Sequence, residues 1–286
     1  MKIGVLIPMY NAEKTIEETL RSVLAQSELP YEICIVDDGS TDNSDAIVRK
    51  YAHEDNSILW KIVQMPNKGL GAARNAGLEV MTSDYVAFLD SDDCWTADKL
   101  RHTREFLERY PDTDILYHPI WEWKPESGVM RKRRDMPLLH SSDIWLHNPI
   151  TPSATVVKIG GTKWKFDTDR AIHGVEDALL WTKALSDGLK IRRMNYVDTM
   201  YRMNHGMTKN FQEHEEHVQN ALNKALKEGW IETEVVDKMA SARAYHLARN
   251  LHKTKEYKAA VAAYAKSHGG LKSALLSLAA RFRIVL

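Results

Sequence analysis

The residues Asp90-Ser91-Asp92-Asp93 stand directly after the apolar run Val86-Ala87-Phe88-Leu89, and their types and spacing suit one kind of chemistry. Carboxylate oxygens are hard ligands, and two of them at a fixed strand end can share a magnesium or manganese ion with the phosphates of a substrate. Such an ion acts as a Lewis acid on the charge that builds as a nucleotide diphosphate departs. Acidic clusters also cap helices, so the cluster alone leaves both readings open.

Three other polar clusters follow apolar runs in the same way. Pro8-Met9-Tyr10-Asn11 follows Ile3–Ile7, Asp37-Asp38-Gly39-Ser40-Thr41-Asp42 follows Glu32–Val36, and Asn67-Lys68-Gly69 follows Leu59–Gln64. An aspartate at the second of these strand ends can accept a hydrogen bond from a pyrimidine N–H, while Thr41 or Asp42 caps the helix that comes next. The third is a glycine-rich turn that opens a helix, with Arg74 on its first turns. Its free N–H groups and the helix dipole favour an anion. The spacing matches neither a P-loop nor the dinucleotide fingerprint.

The elements that must position these clusters read as strand and helix in alternation. Helical patterns over Thr15–Gln26, Ser44–Tyr51 and Leu70–Met81 separate the strands, and Tyr85–Leu89 is the fourth strand. Buried-type strands alternating with helices specify a mostly parallel, Rossmann-like α/β sheet covered by helices. Ligands bind such sheets at the carboxyl ends of the strands, which is where all four clusters lie. Further along, 98–110 reads as a helix, 114–124 as an aromatic strand and 125–140 as a basic, turn-rich insertion. Ala154–Lys158 reads as a strand, Glu176–Leu189 as a helix and Ile191–Tyr201 as extended chain. From Asn210 onward the pattern is almost wholly helical. Two domains are therefore expected, 1–210 and 211–286. Within the second, Ala244–Ser267 resembles a single tetratricopeptide-type hairpin, which needs a neighbour to bury its apolar face.

Bulk composition narrows the partners. With 39 Lys and Arg against 39 Asp and Glu in 286 residues, the chain is neutral, which disfavours nucleic acid. Cys34 and Cys94 are too few for a disulfide framework and fit a reducing, cytoplasmic setting. The apolar run at the N-terminus stops at Pro8 and reads as a first strand rather than a signal peptide. No run approaches the roughly 20 apolar residues of a membrane span. The segment 271–286 places Leu271, Ala274, Leu275, Leu278, Ala279 and Phe282 at helical spacing with basic interruptions. Such a helix either closes the core of the helical region or lies on an anionic bilayer, giving a peripheral position on the inner face of the cell membrane.

The four strand-end clusters, in this order and spacing, resemble the family 2 glycosyltransferases of GT-A fold over roughly residues 1–210. The resemblance implies inverting transfer of a hexose or N-acetylhexosamine from a UDP-sugar, with Mn2+ or Mg2+, to a saccharide or lipid-linked acceptor in cell-surface polysaccharide synthesis. It implies that Pro8, Tyr10 and Asn11 line the nucleotide pocket, with Tyr10 packed on the base. Asp38 would bond the uracil, Arg74 the uracil or diphosphate, Asp90 the ribose with Ser91 beside it, and Asp92 the metal. Inversion needs a general base that takes the acceptor's proton. The family carries it in an acidic pair before a helix, matched here by Gly174-Val175-Glu176-Asp177-Ala178-Leu179-Leu180-Trp181. Asp177 is then the base and Glu176 an acceptor contact, although a helix N-terminus favours acids in any case. Lys183 stands where relatives often carry arginine. A later Tyr-Arg, His, Ser pattern is matched by Tyr201-Arg202 and, displaced by one position, His205, with Thr208 in the Ser place. Arg202 would contact the diphosphate and His205 the metal. Trp121, Trp123, Trp145 and Trp164 offer faces for sugars or for packing. The run Arg131-Lys132-Arg133-Arg134 is a solvated charge run or a contact for an acceptor pyrophosphate or lipid headgroups. A non-catalytic nucleotide-sugar-binding scaffold is the alternative, and the complete acidic set argues against it. A sugar-1-phosphate nucleotidyltransferase would carry a glycine-rich basic loop where this chain has Pro8-Met9-Tyr10-Asn11-Ala12-Glu13.

Overall fold

A computed structural model describes residues 1–55, 57–133, 138, 140–159, 164–203, 211–267 and 270–284. The chain opens with β1 (Ile3–Met9), α1 (Ile16–Leu24), β2 (Glu32–Asp37), α2 (Ser44–Glu54), β3 (Leu59–Gln64), α3 (Leu70–Val80) and β4 (Tyr85–Phe88). Every residue of β1, β2 and β4 is buried, as a sheet covered on both faces requires. Alternate residues serve opposite layers. Val5, Ile7, Ile33 and Ile35 pack with Ile16 and Leu20 of α1, whereas Leu6, Cys34, Val36 and Phe88 pack with Phe166 and Trp181. Gly77 of α3 lies against Leu6, where a Cβ would stand 2.1 Å from Leu6 Cδ1, so α3 approaches the sheet closely.

The next elements are β5 (Cys94–Trp95), α4 (Lys99–Arg109), β6 (Ile115–Tyr117), β7 (Ile120–Lys124), β8 (Val129–Lys132), α5 (Ser141–His147), β9 (Thr155–Lys158), α6 (Glu176–Ser186), β10 (Ile191–Arg193) and β11 (Thr199–Arg202). The main sheet has the order β10-β6-β9-β4-β1-β2-β3 and is parallel except for β9, which runs against both β4 and β6. A second sheet has the order β5-β11-β7-β8. The aromatic strand expected over 114–124 is thus two strands in different sheets. The break falls at His118-Pro119, where proline cannot donate to a continuing ladder. The segment 191–201 divides in the same way into β10 and β11. Part of the expected turn-rich insertion is a hairpin, β7 with β8, turning at Gly128 in the left-handed region.

Among the described residues four more helices follow: α7 (Phe211–Lys227), α8 (Thr233–Lys253), α9 (Tyr257–Lys266) and α10 (Gly270–Arg281). Ala221, Leu222 and Ala225 of α7 share a core with Ile172, Val175 and Leu179, so the helical region packs directly on the segment that carries α6. Ala248, Ala260, Ala263, Tyr264, Leu276 and Ala280 form a separate small core among α8, α9 and α10. Cys34 and Cys94 are free and buried, and burial pushes each thiol up to about 12. Among the described residues, no helix is long and apolar enough to cross a membrane.

Candidate active site

The loops after β1, β2 and β3 are stitched to one another by side chains of the clusters themselves. Asn11 adopts φ 48°, a left-handed conformation that asparagine tolerates. There its Oδ1 accepts from Thr41 N at 2.8 Å, and its own N–H donates to Ser40 Oγ at 3.0 Å. Asp37 Oδ1 accepts from Ser40 N, closing the turn at Gly39, which has φ 81°. A Cβ on Gly39 would stand 3.0 Å from the backbone nitrogen of Asn67. Asp38 is buried, and its two carboxylate oxygens accept from Lys68 N and Gly69 N, each at 2.8 Å. Each oxygen keeps a second lone pair for a ligand. Asp42 accepts from Ser44 N at the first residue of α2, but the N-cap is Asn43 rather than Thr41 or Asp42, and no side chain makes the capping bond.

The acidic loop after β4 is pinned from several directions. Thr19 Oγ1 donates to the carbonyls of Ser91 and Asp93, at 3.0 and 2.8 Å. Arg202 Nε donates to the carbonyl of Asp92 at 2.7 Å. The Asp90 N–H donates to Ser153 Oγ at 3.0 Å. Ser153 is itself fixed, because its carbonyl accepts from Trp95 Nε1 and Thr199 Oγ1. Asp93 turns into the interior, where its Oδ1 accepts from Arg202 N. Burial, then the neighbouring Asp92 and Asp90, push its carboxyl well above the ordinary range. Ser153, which holds the Asp90 backbone, is a position that sequence reading missed. Its only local signal is its place after Pro152 at the mouth of β9.

A cavity of about 610 Å³ opens over these strand ends. Pro8, Tyr10, Asn11, Asp38, Asn67, Gly69, Asp90, Ser91, Asp92, His173 and Tyr201 line it, among others. Tyr10 is 51% exposed, with its ring available to a planar ligand. The expected pocket residues Pro8, Tyr10, Asn11, Asp38, Asp90, Ser91 and Asp92 are therefore brought together. His173 is an addition, three residues before the acidic pair. A smaller cavity of about 280 Å³ adjoins the first through Asn67, Gly69 and His173, and Glu176 lies in its wall.

Arg74 lies beneath these cavities, 1% exposed. Its Nη2 donates to Asp90 Oδ1 at 2.8 Å and its Nη1 to Glu176 Oε1 at 3.2 Å, while the guanidinium sits 5.3 Å from the centre of the Phe166 ring. Burial alone would lower its pKa. Asp90, Glu176 and Asp177 outweigh burial and raise it, so the guanidinium stays charged. Glu176 is equally committed, since its Oε2 accepts from Gly174 N at 2.7 Å. Asp177 follows at the N-terminus of α6, 8% exposed, with Oδ2 accepting from Asn148 Nδ2 at 3.1 Å. Burial, then Glu176, push its carboxyl up to about 6, while Arg74 and Asn148 restrain the rise. Asp177 lines neither cavity.

Arg202 is engaged with protein groups. Besides the Asp92 carbonyl, its guanidinium meets Glu18 and lies 4.5 Å over the Trp123 ring. The tryptophans serve packing: Trp121 donates to the Val197 carbonyl, Trp164 to that of Lys158, and Trp145 joins the cores. Arg131 and Arg133 pair with Glu122, and Arg134 lies outside the described residues. His205 and Thr208 lie outside them as well. Among the described residues, no group of three or more His, Cys, Asp and Glu could hold a metal ion. The oxygens of Asp90 and Asp92 at the cavity wall still fit a hard divalent cation, which commonly takes one or two carboxylates and completes its shell with substrate phosphates and water.

Comparison with known proteins bears on the family and the fold. The sequence model described as Glycosyl transferase family 2 matches residues 4–164. The chain is 31% identical over 216 residues to the Escherichia coli UDP-Glc:alpha-D-GlcNAc-diphosphoundecaprenol beta-1,3-glucosyltransferase WfaP, covering 71% of this chain and 78% of WfaP. It is 45% identical over 105 residues to the putative teichuronic acid biosynthesis glycosyltransferase TuaG of Bacillus subtilis, covering 37% of this chain and 41% of TuaG. Among solved structures, S. aureus TarS 1-349 in complex with UDP-GlcNAc superposes with a TM-score of 0.67 at 22% identity, over 100% of this chain and 88% of that one. At that identity the likeness shows the fold.

Proposed function

The chain belongs to glycosyltransferase family 2, and we propose that it moves a hexose or N-acetylhexosamine, with inversion, from a UDP-sugar to a saccharide or lipid-linked acceptor in cell-surface polysaccharide synthesis. The observation that carries this reading is the Arg74 bridge. One buried guanidinium joins Asp90, in the wall of the cavity, to Glu176, the neighbour of a buried carboxyl raised to about 6.

In this reading Tyr10 stacks on the uracil, Asp38 accepts from its N–H and Asp90 holds the ribose. Asp92, with His205 as a further candidate, holds Mn2+ or Mg2+, which when bound neutralises charge on the departing diphosphate. Arg202 keeps the Asp92 backbone in place and is a candidate for a diphosphate contact. An acceptor hydroxyl attacks the anomeric carbon from the face opposite the diphosphate. The carbon–oxygen bond to the acceptor forms as the bond to the phosphate oxygen breaks. The hydroxyl proton passes to Asp177, and the nucleoside diphosphate leaves with the electron pair. A base with a pKa near 6 is ionised at neutral pH and still basic enough to take that proton. The relative WfaP is named for a diphosphoundecaprenol acceptor. That name supports a lipid-linked acceptor and a site of action at a membrane surface, which we place at the inner face.

The test is transfer from UDP-glucose, UDP-galactose and their N-acetylamino counterparts, with and without Mn2+, to lipid-diphosphate sugars. Asp92→Asn and Asp177→Asn are expected to abolish transfer with the fold intact. Donor binding without hydrolysis or transfer across the panel would instead favour a nucleotide-sugar-binding scaffold.

A further inference from the structure

Leu275, Leu278 and Phe282, in the apolar stripe that sequence spacing gives to α10, do not face the small helical core. In α10 the residues turned inward are Ser273, Leu276 and Ala280, which pack toward Ala260, Ala263 and Tyr264 of α9. Leu275, Leu278 and Phe282 point outward at 59%, 50% and 70% exposure, followed by Ile284 at 51%. The spacing of the first three, i, i+3 and i+7, places them on one side of the helix. Four of the fourteen large exposed apolar side chains among the described residues fall within these ten positions.

The charge around this stripe is one-sided. Residues 257–286 include Lys258, Lys266, Lys272, Arg281 and Arg283 and none of the 39 Asp and Glu of a chain that is neutral overall. Lys255, Lys258, Arg281 and Arg283 line one groove of about 800 Å³, between the start of α9 and the end of α10. Glu256 is the one acid in its wall, and its carboxylate accepts from Thr254 Oγ1 at 2.9 Å. Phe282 lies in sequence between the two arginines of the groove. An apolar anchor beside a set of cations matches the boundary between acyl chains and anionic headgroups.

We propose that the outer face of α10, with the basic groove beside it, docks the protein on an anionic lipid bilayer. The proposal extends the reading of a lipid-linked acceptor and rests on it for its purpose, because docking would hold the active site beside a membrane-embedded substrate. A protein partner or a second copy of the chain would also cover apolar side chains. Neither accounts for five cations with no acid in thirty residues as directly as a negatively charged surface does.

The full chain is tested by co-sedimentation with vesicles of phosphatidylcholine alone and of phosphatidylcholine with phosphatidylglycerol. Binding is expected to the anionic vesicles and to weaken as salt rises. Leu278→Asp with Phe282→Asp, and separately Arg281→Glu with Arg283→Glu, should each lower partitioning at least about tenfold. Both variants should keep the melting temperature and the rate of transfer to a water-soluble acceptor analogue. No binding by the native chain, equal binding to both vesicle types, or native-like binding by both variants overturns the proposal. So does self-association that Phe282→Asp abolishes in a chain that ignores vesicles, which would assign the face to a second copy. Vesicle binding without transfer to any acceptor upholds the docking surface and overturns the functional reading instead.

Discussion

Replacing Arg74 by methionine tests the link between the two halves of the site. Methionine is similar in length and apolar, so the change removes the charge while filling most of the space. Two consequences can be worked from the structure. Asp90 and Glu176 lose the cation that both contact. Breaking a buried ion pair by removing one partner costs about 3–5 kcal/mol, which for a chain of this size lowers the melting temperature by roughly 10 °C. The second consequence concerns the base. Arg74 is the first of the influences that restrain the rise of the Asp177 carboxyl, which stands at about 6. A nearby opposite charge lowers a carboxyl pKa by about 1–3 units. Arg74 contacts Glu176 rather than Asp177 itself, so the lower end applies. The carboxyl should move to about 7, and at pH 6 its ionised fraction should fall from about one half to about one tenth. The assay is kcat/KM for transfer against pH. The acid limb is expected near pH 6 in the native enzyme and about one unit higher in Arg74→Met, while Arg74→Lys should keep most of the native profile. An acid limb that stays in place, or moves to lower pH, would refute the coupling of Arg74 to the base.

Four more outcomes follow from the same geometry. Asp177→Asn should abolish transfer yet stabilise the fold. The native carboxyl at about 6 lies above its ordinary 3.8, so the folded state holds the proton more tightly and loses stability as pH rises from about 4 to about 6. The ionised group then costs about 3 kcal/mol at neutral pH, and the variant's gain in melting temperature should be present at pH 8 and absent below about pH 4. Tyr10→Ala should raise the donor Kd about 5- to 150-fold, the worth of one base stacked on an aromatic ring, with an unchanged melting temperature because the ring is half exposed. Gly71→Ala should destabilise by about 1–3 kcal/mol and depress activity, because its Cβ would stand 2.6 Å from the Asp167 carbonyl and 3.4 Å from Glu176 Cγ. Gly77→Ala, which meets only the end of the Leu6 side chain, should be milder in activity. Thermal melts and initial rates check both.

The parallel sheet and the cavity wall were legible in the sequence because their signals are local. An apolar run followed by Asp90-Ser91-Asp92 declares a strand end whatever lies elsewhere, and β3 falls on the boundaries that the periodicity predicts. Arg74 was legible as a cation on the first turns of a helix but not as a bridge, since its carboxylates come from the ends of β4 and from the start of α6. Ser153 was missed for the same reason: a serine after proline has no pattern that announces an Asp90 N–H 63 positions away. The antiparallel course of β9 between β4 and β6 is also invisible to periodicity, which reports that a strand is buried and not which way it runs. Tryptophan misleads in the other direction. Four rings between the acidic cluster and Glu176 look like sugar platforms in composition, yet Trp121 and Trp164 give their ring N–H groups to carbonyls, Trp145 joins the cores and Trp123 lies under the Arg202 guanidinium.

The Arg74–Glu176 contact spans 102 positions of chain. A ribosome adds about 5–20 residues each second, and structure forms from the N-terminus as synthesis proceeds. Roughly 5–20 s therefore separate the appearance of the guanidinium from that of its second carboxylate. A nascent chain halted before Glu176 already contains Tyr10, Asp38, Asp90 and Asp92 but has no Asp177. Protease protection around Arg74 should rise only in ribosome-held chains long enough to expose α6. A chain halted before Glu176 also lacks Arg202, which holds the Asp92 carbonyl, so the acidic loop and the Arg74 bridge are both completed by segments made late.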